Sequence, residues 1–191
     1  MSEAISKAVV IGASAGAVEA LLTILPDLPK DFPLPVFIVV HVPPDRRNVL
    51  APLFESRCQI TVKEAEDKET VIGGVVYFAP SDYHMLVEED FSISLSSDEL
   101  VNHSRPAIDV LFESAADAYG PGLTAVILTG ANQDGATGLA AVAKAGGIAI
   151  VEDPAGAYAP QMPSFALAAC PTARVIPLKQ MASGLLAWGA S

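Results

Sequence analysis

The sequence predicts an α/β fold built on a mainly parallel sheet. Three observations carry this prediction: short β-branched runs without polar alternation, helix-spaced segments between them, and one segment around Glu89-Asp90 that alternates apolar and polar residues. The runs are Ala8-Ile11, Val36-Val40, Val75-Phe78, Leu123-Leu128 and Ile148-Val151, which read as strands buried on both faces. The helical segments are Val18-Leu25, Asn48-Glu55, Ile108-Ala118 and Thr137-Ala145, with Ile108, Leu111, Phe112 and Ala115 forming one apolar stripe. Met85-Leu95 alternates around Glu89-Asp90 and reads as a small β-hairpin insertion, expected at the surface. The proline-rich pieces near Pro26-Pro35 and Pro160-Pro163 read as loops.

At 191 residues, with no repeat or low-complexity tract, the chain is expected to form a single domain over residues 1–191. Hydrophobic residues make up 51% and charged residues 17%, yet no apolar run is long enough for a membrane span, so no direct membrane insertion is expected. The start, Met1-Ser2-Glu3-Ala4-Ile5-Ser6-Lys7, lacks the basic and apolar pattern of a secretion signal, which makes a cytoplasmic location the default. Cys58 and Cys170 then read as free thiols rather than a disulfide. A formal charge of -11 opposes attraction to phosphate backbones and argues against nucleic acid as a partner.

In an open parallel sheet, ligands bind beyond the carboxyl ends of the strands, where three residues stand out. The first strand runs into Gly12-Ala13-Ser14-Ala15-Gly16, a G-x-S-x-G turn that would hold the Ser14 hydroxyl at the head of a helix. The backbone N–H of Ala15 is the natural first donor to an oxyanion there. Ser14 alone would also serve as a helix cap. A dinucleotide loop would need glycines at Ser14 and Ala17, and no Gly-Lys-Ser or Gly-Lys-Thr ending marks a phosphate loop.

His41 ends the second strand and should leave the same sheet edge as Ser14; as a neutral imidazole it suits a general base, and a hydrogen-bonded structural histidine is the competing reading. His84 and His103 follow no such strand. The three histidines show neither helical pairing nor a cysteine cluster, so no metal site is predicted. Asp134, in Gly130-Ala131-Asn132-Gln133-Asp134-Gly135, follows the Leu123-Leu128 strand and could orient the imidazole, or cap the next helix. Serine, imidazole and carboxylate all falling at strand ends favours a catalytic set over three separate structural roles.

These residues resemble the catalytic domain of the CheB-type chemotaxis protein-glutamate methylesterases over nearly the whole chain. The likeness is carried by Ile11-Gly12-Ala13-Ser14, His41 with Pro43-Pro44, Tyr77-Phe78-Ala79-Pro80 with His84-Met85, Val101-Asn102-His103-Ser104-Arg105-Pro106 leading to Asp109-Val110-Leu111-Phe112, and Leu128-Thr129-Gly130 with Asp134-Gly135. The resemblance implies a doubly wound sheet with helices on both faces and a triad of Ser14, His41 and Asp134. It also implies a serine hydrolase that removes methyl esters from glutamates on the cytoplasmic helices of chemoreceptors, with glutamine deamidation as a second activity and no cofactor. Donors near Ala15 and Ala131 would hold the oxyanion, and Asn102 and Arg105 are candidates for substrate contact.

The chain departs from the family pattern where Ala15 replaces a Thr, Ala17 a Gly, and Ala131-Asn132 a Met-Gly pair. These changes should reshape the pocket. Relatives commonly carry an N-terminal receiver domain, whereas this chain opens directly on the first strand and is expected to stand free of one. Asp45-Arg46-Arg47 could face acidic receptor helices, with a solvated loop as the simpler reading. The alternative from another class is a non-catalytic interaction module that keeps the fold. A small-molecule esterase of the lipase type is disfavoured by the order Ser, His, acid.

Overall fold

The computed structural model describes residues 5–42 and 49–191. Its strands are β1 (Ala8–Ala13), β2 (Val36–Val40), β3 (Thr61–Glu64), β4 (Val75–Phe78), β5 (His84–Val87), β6 (Ile93–Ser96), β7 (Leu123–Ile127), β8 (Ile148–Glu152) and β9 (Arg174–Ile176). The helices are α1 (Ala17–Ile24), α2 (Leu50–Glu55), α3 (Ile108–Tyr119), α4 (Ala136–Lys144), α5 (Gln161–Ala169) and α6 (Met181–Gly189). Seven strands form one sheet in the order β3-β4-β2-β1-β7-β8-β9, and every pairing in it is parallel. β5 and β6 form a separate antiparallel hairpin with Met85 opposite Leu95.

Every residue of β1, β2 and β7 is buried, which explains why these strands show no polar alternation. Successive side chains point to opposite faces, so Val10, Phe37 and Val39 join one core with Ile108, Phe112 and Leu139, while Val9, Ile11 and Ile38 join another with Leu21 and Phe54. The chain builds outward from β1 to β2 on one side and later to β7 on the other. That reversal makes the carboxyl edge around β1 a crevice between divergent connections, the usual ligand position in such sheets.

The sequence reading placed the central strands but missed the margins. β3 and β9 are short edge strands with exposed residues, and so carry no continuous apolar run. The Pro160-Pro163 piece, read as a loop, instead begins α5: Pro160 is its N-cap and Pro163 lies in its first turn, where the missing N–H would have no helical partner anyway. α6 was also missed, although Met181, Ala182 and Leu185 bury one stripe of it. The hairpin is not merely superficial, because Met85, Val87 and Ile93 are buried in the α3-side core. Asn48, expected to open the second helix, and the Asp45-Arg46-Arg47 loop lie outside the described residues.

Gly12 in β1 sets how closely α3 approaches the sheet, since a Cβ there would lie 2.4 Å from Ile108 Cγ2. Gly12→Ala should therefore displace the start of α3 and destabilise the fold by about 1–3 kcal/mol. Urea unfolding of the variant checks this; an unchanged midpoint would mean that Ile108 repacks without strain.

Candidate active site

Ser14 follows β1 directly, its N–H donating to Thr129 O at 2.9 Å and its carbonyl accepting from Ala17 N at 2.9 Å. Gly16 closes the turn at φ 83 as the N-cap of α1, so the chain reverses sharply within two residues of the hydroxyl. His41 follows β2 on the neighbouring strand, and its N–H donates to Ala13 O at 3.3 Å. Ser14 and His41 line one cleft of about 690 Å³, together with Val18, Val49 and the exposed ring of Tyr158. Asp134, from the loop between β7 and α4, lies behind the imidazole with Oδ2 2.7 Å from His41 Nε2. The structure thus brings His41 and Asp134 into direct contact and Ser14 into the same cleft as His41, without a hydrogen bond between Ser14 Oγ and the ring.

Asp134 is fully buried and sits at the open end of α3, where Oδ2 accepts from Ile108 N at 2.6 Å and Oδ1 from Asp109 N at 3.1 Å. These are the first N–H groups of α3, which lack partners within the helix and carry its positive dipole end. Asn102 Nδ2 adds a third protein donor at 2.8 Å to Oδ1. Burial pushes the Asp134 carboxyl up, but the bonds from His41, Ile108, Asp109 and Asn102 outweigh it and hold the group below its ordinary range. Asp134 is therefore a carboxylate able to stabilise a positive imidazolium.

A second buried carboxyl, Asp109, lies beside it. Its Oδ1 accepts from Gly138 N at 2.7 Å, capping α4, and its Oδ2 accepts from Asn102 Nδ2 at 2.8 Å. Here burial wins, reinforced by the charge of Asp134, and the Asp109 carboxyl is raised above its ordinary range despite these bonds. Asn102 sits in the left-handed region at φ 52, which turns its amide inward so that its two hydrogens serve the two carboxyls. His84 is buried as a structural group: Nδ1 accepts from Ala107 N at 3.2 Å and Nε2 meets Glu99 O at 2.8 Å, bracing the segment that leads into α3.

The other sequence candidates divide. Among the described residues, the N–H groups of Ala15 and Ala131 have no hydrogen-bond partner, which leaves them open to a ligand. Arg105 is engaged within the fold, with Nε and Nη2 on Asp82 Oδ1 at 3.0 and 2.8 Å and Nη1 on the Ser97 and Asp98 carbonyls. It borders a small cavity of about 130 Å³ shared with His41 and His103.

Sequence reasoning missed the role of Thr129. Its Oγ1 donates to Ala15 O at 2.8 Å and accepts from Ala159 N at 2.8 Å, and its N–H donates to the buried Glu152 Oε2 at 2.8 Å. Its place at the end of a buried strand was the available signal. Glu152, at the end of β8, could be found the same way; burial raises its carboxyl. Asn132, between the Ala15-like open N–H of Ala131 and Asp134, also reaches the imidazole, with Nδ2 3.3 Å from His41 Nδ1. Among the described residues no group of three or more His, Cys, Asp or Glu side chains converges to hold a metal, and no helix is long and apolar enough to cross a membrane.

The doubly wound parallel sheet, with a serine, an imidazole and a buried carboxylate at its carboxyl edge, defines an α/β protein whose site has the composition of a serine hydrolase. The CheB methylesterase family model matches residues 9–185, and the chain belongs to that family. A putative protein-glutamate methylesterase/protein-glutamine glutaminase of Leptospira interrogans is 46% identical over 176 residues, covering 92% of this chain and 91% of that protein. Protein-glutamate methylesterase/protein-glutamine glutaminase 1 of Cupriavidus metallidurans is 40% identical across 95% of this chain, which spans only 51% of that relative. The crystal structure of the Thermotoga maritima CheB methylesterase catalytic domain superposes with a TM-score of 0.90 at 37% identity, covering 95% of this chain and 97% of that one. The family resemblance and the fold expected from the sequence both agree with these matches.

The two carboxyls make opposite contributions to stability as pH changes. Asp134, lowered on folding, stabilises the fold above the ordinary carboxylate range, and this is lost as pH falls through its folded value; Asp109, raised on folding, favours the fold when protonated. Asn102→Ala removes a donor from both and should cost about 1–3 kcal/mol near neutral pH. The cost should be smaller in acid, where Asp109, raised on folding, is protonated and leaves Asn102 with one charged partner in place of two. Urea unfolding at about pH 7 and about pH 3 tests this; an equal loss at both would mean that the charge of Asp109 adds nothing to the Asn102 bond.

Proposed function

We propose that this chain hydrolyses glutamate methyl esters with Ser14 as nucleophile, His41 as general base and Asp134 as the group that orients and stabilises the imidazole. The observation that carries the reading is the 2.7 Å contact between His41 Nε2 and a fully buried Asp134, in a cleft that Ser14 shares, within a chain of the CheB methylesterase family. With Nε2 facing Asp134, Nδ1 is the nitrogen left to take the serine proton.

Ser14 Oγ attacks the ester carbonyl carbon as its proton passes to His41 Nδ1, and the free N–H groups of Ala15 and Ala131 receive the oxyanion. Collapse of the tetrahedral intermediate breaks the bond to the methoxy group, which takes the proton from His41 and leaves as methanol. Water then gives a proton to Nδ1 and attacks the acyl group; the free glutamate departs as Ser14 is reprotonated. A glutamine amide would follow the same course with ammonia leaving.

The proposed substrates are the methylated cytoplasmic helices of chemoreceptors, and the proposed enzyme is a single catalytic domain, residues 1–191, working in the cytoplasm. Exposed Val49 and Tyr158 beside the cleft supply apolar contact for a helix surface. Asn102 acts through the carboxyls and Arg105 through the Asp82 loop, so both shape the site rather than grip the ester. A non-catalytic module has less support, because it leaves the buried carboxylate and its imidazole without a purpose.

The test is methanol release from a radiolabelled, methyltransferase-modified receptor fragment. The parent should release methanol, and Ser14→Ala should lower the rate by roughly 10⁶-fold while circular dichroism stays unchanged. Release that persists in folded Ser14→Ala would exclude Ser14 as the nucleophile. Absence of release by folded parent protein across several receptors would exclude these receptors as substrates.

A further inference from the structure

We infer that Asn132 is a positioning residue that occupies the base nitrogen of His41 in the resting site and competes with Ser14 for it. The inference rests on the proposed roles of Ser14 and His41. The orientation of the amide follows from its other partner: Asn132 Oδ1 lies 3.0 Å from the backbone N–H of Asp134, which can only donate, so this atom must be the carbonyl oxygen. The NH₂ group therefore faces His41 Nδ1, at 3.3 Å. An amide NH₂ can only donate, so Nδ1 must be the unprotonated nitrogen and the ring proton must sit on Nε2, facing Asp134 Oδ2.

The same geometry has two opposed effects. It holds the imidazole in the tautomer that the proposed reaction needs, with Asp134 on Nε2. It also engages the single in-plane lone pair that must receive the Ser14 proton, in a structure where Ser14 Oγ makes no hydrogen bond to the ring. Two donors cannot both align with one lone pair. The contact to Asp134 already fixes the tautomer and the ring, which makes the Asn132 contact dispensable for orientation and leaves masking as its net effect. At 3.3 Å between nitrogens it is a long neutral bond, weak enough for Ser14 to displace when substrate occupies the cleft.

Ala131-Asn132 stands where the family pattern has a Met-Gly pair, and a glycine has no amide to offer the ring. The short path from Asn132 Oδ1 to Asp134 N spans two residues, so the side chain is held by the same loop that delivers the carboxylate.

The experiment compares Asn132→Gly and Asn132→Ala with the parent protein in two ways. The first is the second-order rate of Ser14 phosphonylation by a fluorophosphonate, in which the Ser14 Oγ–P bond forms, fluoride leaves and the serine proton passes to His41; mass spectrometry locates the label. Both variants should react about fivefold faster, the equilibrium weight of one net neutral hydrogen bond. The second is the ¹⁵N signal of His41 Nδ1 at alkaline pH, which should keep its unprotonated character and move further downfield once the amide donor is gone. A purely structural role for Asn132 would leave that signal in place.

Equal or slower labelling of the two folded variants would overturn the competition, and a Nδ1 signal that shows a bound proton in the parent would overturn the amide contact. Failure of the receptor-ester reading is distinguishable, because Ser14 would still be phosphonylated although no methanol is released. If the parent is not labelled at Ser14 at all, both the nucleophile role and the competition fall together.

Discussion

The charge of Asp134, buried at the open end of α3, is the constraint around which the site is arranged. An isolated carboxylate so far from water would be strongly disfavoured, and it persists because backbone and side-chain donors converge on both oxygens. Those donors come from the start of α3 and from the segment before it, while His41 arrives from the end of β2. One group therefore ties together three parts of the chain that are remote in sequence. The close approach of α3 to β1, permitted by Gly12, brings the helix end within reach of the loop after β7.

Asp109 shows how narrow this balance is. It has the same chemistry as Asp134 and shares Asn102 with it, yet the two carboxyls shift in opposite directions. Asp134 receives two helix N–H groups and an imidazole in addition to Asn102, whereas the bonds to Asp109 do not overcome its burial and the neighbouring charge. The strained conformation of Asn102 has a physical purpose, since it aims one amide at both groups. His84 holds the approach to α3 from below, so the buried histidine of the hairpin supports the site without entering it.

The Ser14 side of the cleft is organised by Thr129 in place of a charge. Its hydroxyl joins the carbonyl of Ala15 to the Ala159 backbone, fastening the Ser14 turn to the loop that carries Tyr158. The floor of the cleft is thus fixed by hydrogen bonds while its lip, at Val18, Val49 and Tyr158, is apolar and open.

Much of this was legible in the sequence. Uninterrupted apolar strands fixed the sheet class, because only a sheet covered on both faces tolerates them, and strand ends singled out Ser14, His41 and Asp134 as a group. The edge strands β3 and β9 and the proline-started α5 escaped because half-exposed or first-turn positions carry no periodic signal. What the tertiary structure alone decided is how the polar groups pair. That Asn102 bridges two carboxyls, that Arg105 is spent on Asp82, and that Asn132 reaches the imidazole all depend on distances between segments far apart in the chain, or on the inward turn of one amide. Apolar burial leaves its period in the sequence because each residue answers to its own face of the sheet; a hydrogen bond belongs to two residues at once, and its geometry exists only after the chain has brought them together.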